Sequence, residues 1–350
     1  MRTQTRAIIV LAAAVALGVT GCRSSAGGGT GAPASSGGVT DVKIMVGGVE
    51  KVIYLPAKLT DQLGYFKEQG LNVQILTEPA GATAENSLIS GDVHGVVGFY
   101  DHTIDLQAKG KCITSVVQMA DVPGEAEVVA TKQASTIKSA ADFKGKKLGF
   151  TSPGSSTDFL TQYLATKSGV ATSEYTGVKA GAGQTFIAAI DNGGIDAGMT
   201  TDPTIAQLVD SGKAKVMLDM RTEDGTKAAL GGLYPASSLY MDCAFVEKNK
   251  ETVQKLANAL VKTLGFINSH TAAEIAAKMP PDFAGGNPAL YEKSINDTKG
   301  MFNRDGKMKA EGAKNVLEVL AQFSPSVKPK KDSIDLTRTY TTEFVGKAAQ

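Results

Sequence analysis

The sequence predicts an α/β protein of two lobes joined by two crossing strands, with a terminal run of helices on lobe one. Three observations carry that expectation. A β-α-β-α-β alternation starts near residue 42, a second alternation starts near residue 126, and beyond Asn249 the pattern is helical only. Strands separated by helical stretches of about ten residues pair in parallel through right-handed crossovers, so each alternation implies one lobe. The cleft between the lobes is the place to look for function.

In the first lobe, 42–46 reads as a strand because Val42, Ile44 and Val46 alternate with other residues. Residues 54–63 read as a helix ending near Gly64, 71–76 as a strand, 83–90 as a helix stopped by Gly91, and 93–98 as a third strand. A helix at 103–109 ends at Gly110, and 113–119 is a strand. The second lobe repeats the scheme: strand 126–131, short helix 139–143, strand 147–151, helix 156–168 stopped by Gly169, strand 175–179, helix 184–191, and strands at 197–200 and 216–218. Residues 234–246 run back as an extended segment. Helices follow at 251–268, 271–278, 288–302 and 309–323. The crossings fall near Val128 and Pro235, which assigns 41–127 and 236–350 to lobe one and 128–235 to lobe two.

Ahead of this body, Arg2 and Arg6 precede an apolar run at 7–19 that ends in Val19-Thr20-Gly21-Cys22. The run is shorter than the ~20 residues a spanning helix needs, and a basic start, an apolar core and a small-residue finish make a signal peptide. A retained short anchor is the alternative. The ending resembles the bacterial lipobox. That resemblance implies that residues 1–21 are removed, and that Cys22 is acylated and ties the exported protein to the outer face of the cell membrane. Residues 22–40 hold little that is apolar beyond Ala and Val39, with glycines at 27, 28, 29, 31, 37 and 38, and read as a flexible tether.

The formal charge of the whole chain is +1, and Arg2 and Arg6 are the only charges in residues 1–21, so the remainder carries −1. Such balance argues against nucleic acid as a partner, since phosphate binding needs a concentrated basic surface. Cys112 and Cys243 are the cysteines left after Cys22. Outside the cytoplasm such a pair reads as a disulfide, with two buried free thiols as the alternative.

Several segments resemble a known family. Tyr54-Leu55-Pro56-Ala57, followed by Leu63-Gly64-Tyr65-Phe66-Lys67-Glu68-Gln69-Gly70-Leu71-Asn72-Val73, is similar to the opening helix and turn of the substrate-binding proteins of ABC importers for nitrate, taurine and alkanesulfonates. Gly91-Asp92-Val93-His94-Gly95, Phe143-Lys144-Gly145-Lys146-Lys147-Leu148-Gly149, Ser152-Pro153-Gly154-Ser155-Ser156, Gly183-Gln184 and Ile195-Asp196-Ala197-Gly198 continue the likeness in order. His94 departs from the acidic residue usual at its position. The resemblance implies the periplasmic-binding-protein type II fold, also found in thiamine-pyrimidine binders, and a monomeric receptor for a small, anionic solute such as nitrate, a sulfonate or taurine. Its partners would be permease subunits with a separate ATPase. The alternatives are a binder of a pyrimidine or thiamine precursor, or an enzyme on the same fold.

In open parallel sheets ligands sit beyond the carboxyl ends of strands. The 152–157 turn lies between a strand and a helix, so Ser152, Gly154, Ser155 and Ser156 are candidates to hold an anion on helix N–H groups, unless a serine merely caps the helix. Gly81 occupies an equivalent turn. Tyr100 and His102 follow the third strand, with Asp101 between them read as an N-cap. Thr201 and Asp202 end a lobe-two strand; Glu50 and Tyr54, with Lys51, follow the first strand; and Tyr234 lies at the second crossing. Catalysis finds no support: no His-x-x-x-His, Cys-x-x-Cys, Gly-x-Ser-x-Gly or phosphate loop occurs. The cysteine-rich, iron-linked motif of the fungal pyrimidine synthases that resemble these binders is absent as well. The expectation is therefore no catalytic residue, no cofactor and no metal.

Overall fold

The computed structural model describes residues 40–348; the segments expected to be signal peptide and tether, Cys22 among them, lie outside the described residues up to Val39. Everything described belongs to one compact unit. Lobe one opens with β1 (Thr40–Val46), α1 (Leu55–Gln62), the single turn α2 (Tyr65–Glu68), β2 (Leu71–Thr77), α3 (Gly81–Ile89), β3 (Gly95–Phe99), α4 (Asp101–Ala108) and β4 (Ile113–Gln118). Lobe two follows with β5 (Glu125–Ala130), β6 (Lys147–Phe150), α5 (Ser156–Lys167), β7 (Thr176–Lys179), α6 (Gln184–Asp191), β8 (Ala197–Thr201), α7 (Thr204–Asp210), β9 (Ala214–Asp219) and α8 (Glu223–Leu230). The chain returns through β10 (Ser237–Asp242) to α9 (Cys243–Lys248), α10 (Lys250–Ser269), α11 (Ala272–Ala276), α12 (Pro288–Thr298) and α13 (Ala310–Phe323).

The two sheets have the orders β2-β1-β3-β10-β4 and β7-β6-β8-β5-β9. The β-α-β strands pair in parallel, whereas the strand arriving from the other lobe pairs antiparallel with both its neighbours. The reason is direction of entry. Ser237 of β10 lies opposite Phe99, the last residue of β3, and Glu125 of β5 lies opposite Thr201, the last residue of β8. Each crossing strand therefore enters its sheet at the end where the parallel strands leave, and those ends gather at one place.

β3 and β8 are buried along their whole length, as expected of strands covered on both faces. Met45, Val96 and Tyr240 pack beneath Ala84 and Leu88 of α3 and Leu106 of α4. In the second sheet Ala126, Val128 and Ala130 pack on Phe186, Ile190, Ile205 and Leu208, and each large apolar side chain buried in this way contributes about 1.5–3 kcal/mol. Gly198 shows how tightly β8 meets β6, because a Cβ there would lie 2.6 Å from the Gly149 carbonyl oxygen.

Two expectations need correction. The returning segment is not extended to residue 246: Asp242 Oδ1 accepts from the Ala244 and Phe245 N–H groups, which caps α9 and makes Cys243 its first residue. The terminal helices are not confined to lobe one. α10 packs on α1, α2 and β4, but α12 also meets α7 and α13 meets both α4 and α5, so the buried stripe of Val316, Leu317, Val319 and Leu320 braces both lobes. In the structure Cys112 and Cys243 are joined, with Cα atoms 5.5 Å apart.

Candidate functional site in the inter-lobe cleft

Where the strand ends meet, lobe one contributes Lys51 and Tyr54 after β1, Gly81 at the start of α3, Phe99 at the end of β3 and His102 of α4. Lobe two contributes Glu125, Thr151, Ser155, Ser156, Thr157 and Thr201. These residues enclose about 10 Å³ of free space, room for about one water, so the lobes are closed on each other. A larger hollow of about 520 Å³, lined by Glu223, Lys227, Lys309 and Lys314 among others, is an open charged surface and gathers no strand ends.

Asp101 is the junction of the closed form. Its Oδ1 accepts from Ser156 Oγ of the other lobe at 2.9 Å and its Oδ2 accepts from Tyr234 Oη of the crossing segment at 2.8 Å. Burial pushes its carboxyl up, opposed by His102 and the two hydroxyl donors. A second bond across the cleft runs from the Val52 N–H to the Asp202 carbonyl, at 3.0 Å.

One carboxyl group, that of Glu125, lies in the cavity wall, with Lys51 and His102 in the same lining. Glu125 is 2% exposed and its Oε2 has no hydrogen-bond partner; burial, then the Asp101 charge, holds its carboxyl well above the ordinary range, and Lys51 opposes them. Lys51 is buried too. Its Nζ donates to the Gly47 and Pro79 carbonyls at 2.7 and 3.0 Å, and burial pulls its pKa down to about 8 against the pull of Glu50 and Glu125. Tyr54 and Phe99 form an apolar corner, their rings edge to face at 6.3 Å.

The structure brings Tyr54, Gly81, His102, Ser155, Ser156 and Thr201 to the cavity. The other expected residues stand elsewhere. Glu50 is exposed to solvent, because the turn after β1 buries Lys51 in its place. Tyr100 faces the chain's end, with Oη 2.5 Å from Thr339 Oγ1 and its ring against Tyr340. Asp202 pairs with Arg221 at 3.0 Å, and Tyr234 acts one step back through Asp101. Ser152 and Gly154 stay outside the cavity, and the Gly154 N–H donates to Asp158 at 2.8 Å. The anion turn is largely self-satisfied. Ser155 Oγ donates to the Ser152 carbonyl at 2.7 Å, and Thr151, Ser155 and Thr157 share hydroxyl contacts of 2.8 to 2.9 Å.

Reading the sequence missed Glu125, Phe99 and Thr151, and gave Asp101 only a capping role; in the structure the Asp101 side chain caps nothing. Glu125 and Glu127 alternate with Ala126 and Val128 in a strand buried at every position. An acid recurring in a strand that enters a cleft is the signal that would have found Glu125. Among the described residues no group of three or more His, Cys, Asp or Glu is placed to hold a metal ion.

A protein of Bordetella bronchiseptica RB50 superposes with a TM-score of 0.84 at 34% identity, over 88% of this chain and 96% of that one. The alkanesulfonate-binding protein SsuA from Xanthomonas axonopodis pv. citri, solved bound to MOPS, superposes with a TM-score of 0.70 at 18% identity, over 87% and 99%. At that identity the likeness is one of fold, the two-lobed periplasmic-binding-protein fold. A relative from Aspergillus parasiticus, named 4-amino-5-hydroxymethyl-2-methylpyrimidine phosphate synthase, is 28% identical over 267 residues, 73% of this chain and 74% of that one. That relative corrects the expectation that the chain is not an enzyme: missing triads, zinc motifs and phosphate loops do not separate binders from synthases on this fold. The match to the NMT1/THI5-like family extends over residues 55–273, most of both lobes and the cleft between them, and the chain belongs to that family.

Proposed function

We propose that the protein captures a small, flat nitrogen heterocycle of the aminopyrimidine class between its lobes and delivers it to a membrane importer. The observation that carries this reading is Glu125, a buried carboxyl group with an unpartnered oxygen in the cleft wall. A carboxyl held above its ordinary range offers an O–H donor beside a C=O acceptor, the complement of a ring nitrogen beside an amino group. Tyr54 and Phe99 supply an aromatic corner for the ring. An oxyanion fits less well, because Ser155 and Ser156 donate within the protein. The name of the fungal relative, a pyrimidine phosphate synthase, supports the same ligand class.

Calorimetry with 4-amino-5-hydroxymethyl-2-methylpyrimidine, alongside nitrate and MOPS, tests the reading. Glu125→Ala is expected to weaken pyrimidine binding by about tenfold or more, the loss of one or two buried hydrogen bonds. Glu125→Gln keeps a donor beside an acceptor and should retain most of the affinity. Binding of nitrate or MOPS with none of the pyrimidine would overturn the proposal. The fungal name favours a second reading, chemistry on the pyrimidine itself; mass spectrometry of the protein–pyrimidine mixture decides it, since conversion of the ring or its hydroxymethyl group marks an enzyme.

Delivery requires export, which the lipobox-like ending at Cys22 supports. Cys22→Ser is expected to leave the protein unprocessed or to release it from the membrane fraction. Normal cleavage and lipid labelling of that variant would refute the anchor.

A further inference from the structure

We infer that Lys51 is a specificity-determining donor of the cleft, so that the site selects heterocycles bearing an acceptor oxygen on the ring substituent and refuses those bearing a cation there. The inference rests on the cleft taking an aminopyrimidine and adds what its substituent must offer. Lys51 is 6% exposed, and among the described residues the cavity lining holds no other lysine or arginine. A lysine is almost never buried unless it is paired. Yet among the described residues no carboxylate forms an ion pair with this one: Glu50 and Glu125 act on it through their charge alone, and its side chain bonds to two neutral carbonyls, those of Gly47 and Pro79.

The turn after β1 is shaped around this side chain. The Lys51 N–H donates to the Gly48 carbonyl at 3.0 Å, which closes the turn, and the stem lies back against it. Gly48 has a φ of +109°, and a Cβ there would lie 2.6 Å from Lys51 Cε, so the turn and the stem both call for glycine. Gly47 follows β1 and Pro79 follows β2. The ammonium therefore pins together the two loops that lead to Tyr54 and Gly81 in the cavity lining, and it stands 5.9 Å from the centroid of the Tyr54 ring. An ammonium carries three hydrogens; the carbonyls take two, and the third is uncommitted. Burial lowers the pKa only to about 8, so the group is charged at neutral pH. A bond from it to a ligand oxygen is charge-assisted and belongs to the strong class, whereas a ligand cation at the same place meets repulsion in a site with room for little water.

The test compares ligands that differ at one substituent. Calorimetry on the full protein is expected to show 4-amino-5-hydroxymethyl-2-methylpyrimidine binding about tenfold or more tighter than 4-amino-2,5-dimethylpyrimidine, one charge-assisted hydrogen bond, and the 5-aminomethyl analogue binding weakest. Lys51→Met keeps the stem and removes the charge. In that variant the ratio of alcohol to dimethyl compound should fall to about one and the aminomethyl analogue should gain on both. A lysine that merely pins the two loops would weaken all three ligands alike, so an unchanged ratio overturns the inference. Equal affinity for the alcohol and the dimethyl compound in the native protein overturns it as well, and that measurement needs no variant to fold. If the native protein ignores the pyrimidines and binds nitrate or MOPS, the ligand class is wrong; a loss of about tenfold in Lys51→Met then upholds Lys51 as the donor, and no loss sinks it. A native protein that binds none of these probes overturns both readings.

Discussion

Asp101→Ala is expected to lower stability by about 3–5 kcal/mol and to abolish tight ligand capture. Both oxygens of this fully buried carboxylate are engaged, by Ser156 from lobe two and by Tyr234 from the crossing segment. Truncation leaves two buried hydroxyls without an acceptor, at about 1–3 kcal/mol each, and opens a void where three elements meet. The loss falls mainly on the closed form, since Ser156 reaches Asp101 only when the lobes touch. Asp101→Asn separates charge from hydrogen bonding, because the amide keeps an acceptor for one hydroxyl and the other can turn to accept. It should retain most of the stability. The Asn variant also changes the pH dependence in a fixed direction. Burial raises the Asp101 carboxyl in the folded protein, so its contribution is most favourable below the unfolded value of about 4 and is lost as pH rises through the folded value. Unfolding temperatures across that window should slope less steeply in Asp101→Asn than in the native chain; equal slopes would mean that Asp101 is not the buried titrating group.

The parts of the fold that follow local rules were legible in the sequence. Parallel strands such as β1 and β8 are punctuated by glycines and alternate with helices, and their positions follow from composition and spacing alone. The turn at Cys243 was not legible, because Asp242 capping a helix competes with the strand pattern of the preceding residues. α12 and α13 were legible as helices, yet their contacts with α7 and α5 depend on lobe closure, which no local pattern encodes. The site divides along the same line. Positions at strand ends, such as Tyr54, Gly81 and Thr201, could be read from connectivity. Asp101 could not, since its two partners are 55 and 133 residues away and locally it looks like a cap. The serine-rich turn misled in the opposite way: it has the composition of an anion site, but Thr151 and Thr157 draw Ser155 into a closed hydroxyl network.

Breaking the link between Cys112 and Cys243 is expected to cost about 2–5 kcal/mol of stability while leaving ligand affinity unchanged. The two residues are 131 apart in sequence, and a cross-link closing so long a loop restricts the unfolded chain strongly, by up to about 5 kcal/mol in the chain-entropy account. The folded state has little to lose with it. The Cys243 N–H still donates to the Cys112 carbonyl at 3.0 Å, Asp242 still pairs with Ile113 in the ladder of β10 and β4, and Arg338 packs beside Cys112 Sγ at 3.5 Å. For a body of this size the expected fall in unfolding temperature is roughly 3–8 °C, seen on reduction or in the Cys112→Ser, Cys243→Ser double variant. Affinity should hold because β10 runs from Ser237 at the cleft to Asp242 at the opposite end of the sheet, so the cross-link sits a full strand away from Glu125 and His102. Peptide mapping after alkylation under denaturing, non-reducing conditions supplies the direct check: modification at both Cys112 and Cys243 would show that the bond does not form, and a loss of affinity on reduction would show that the far end of β10 is coupled to the cleft.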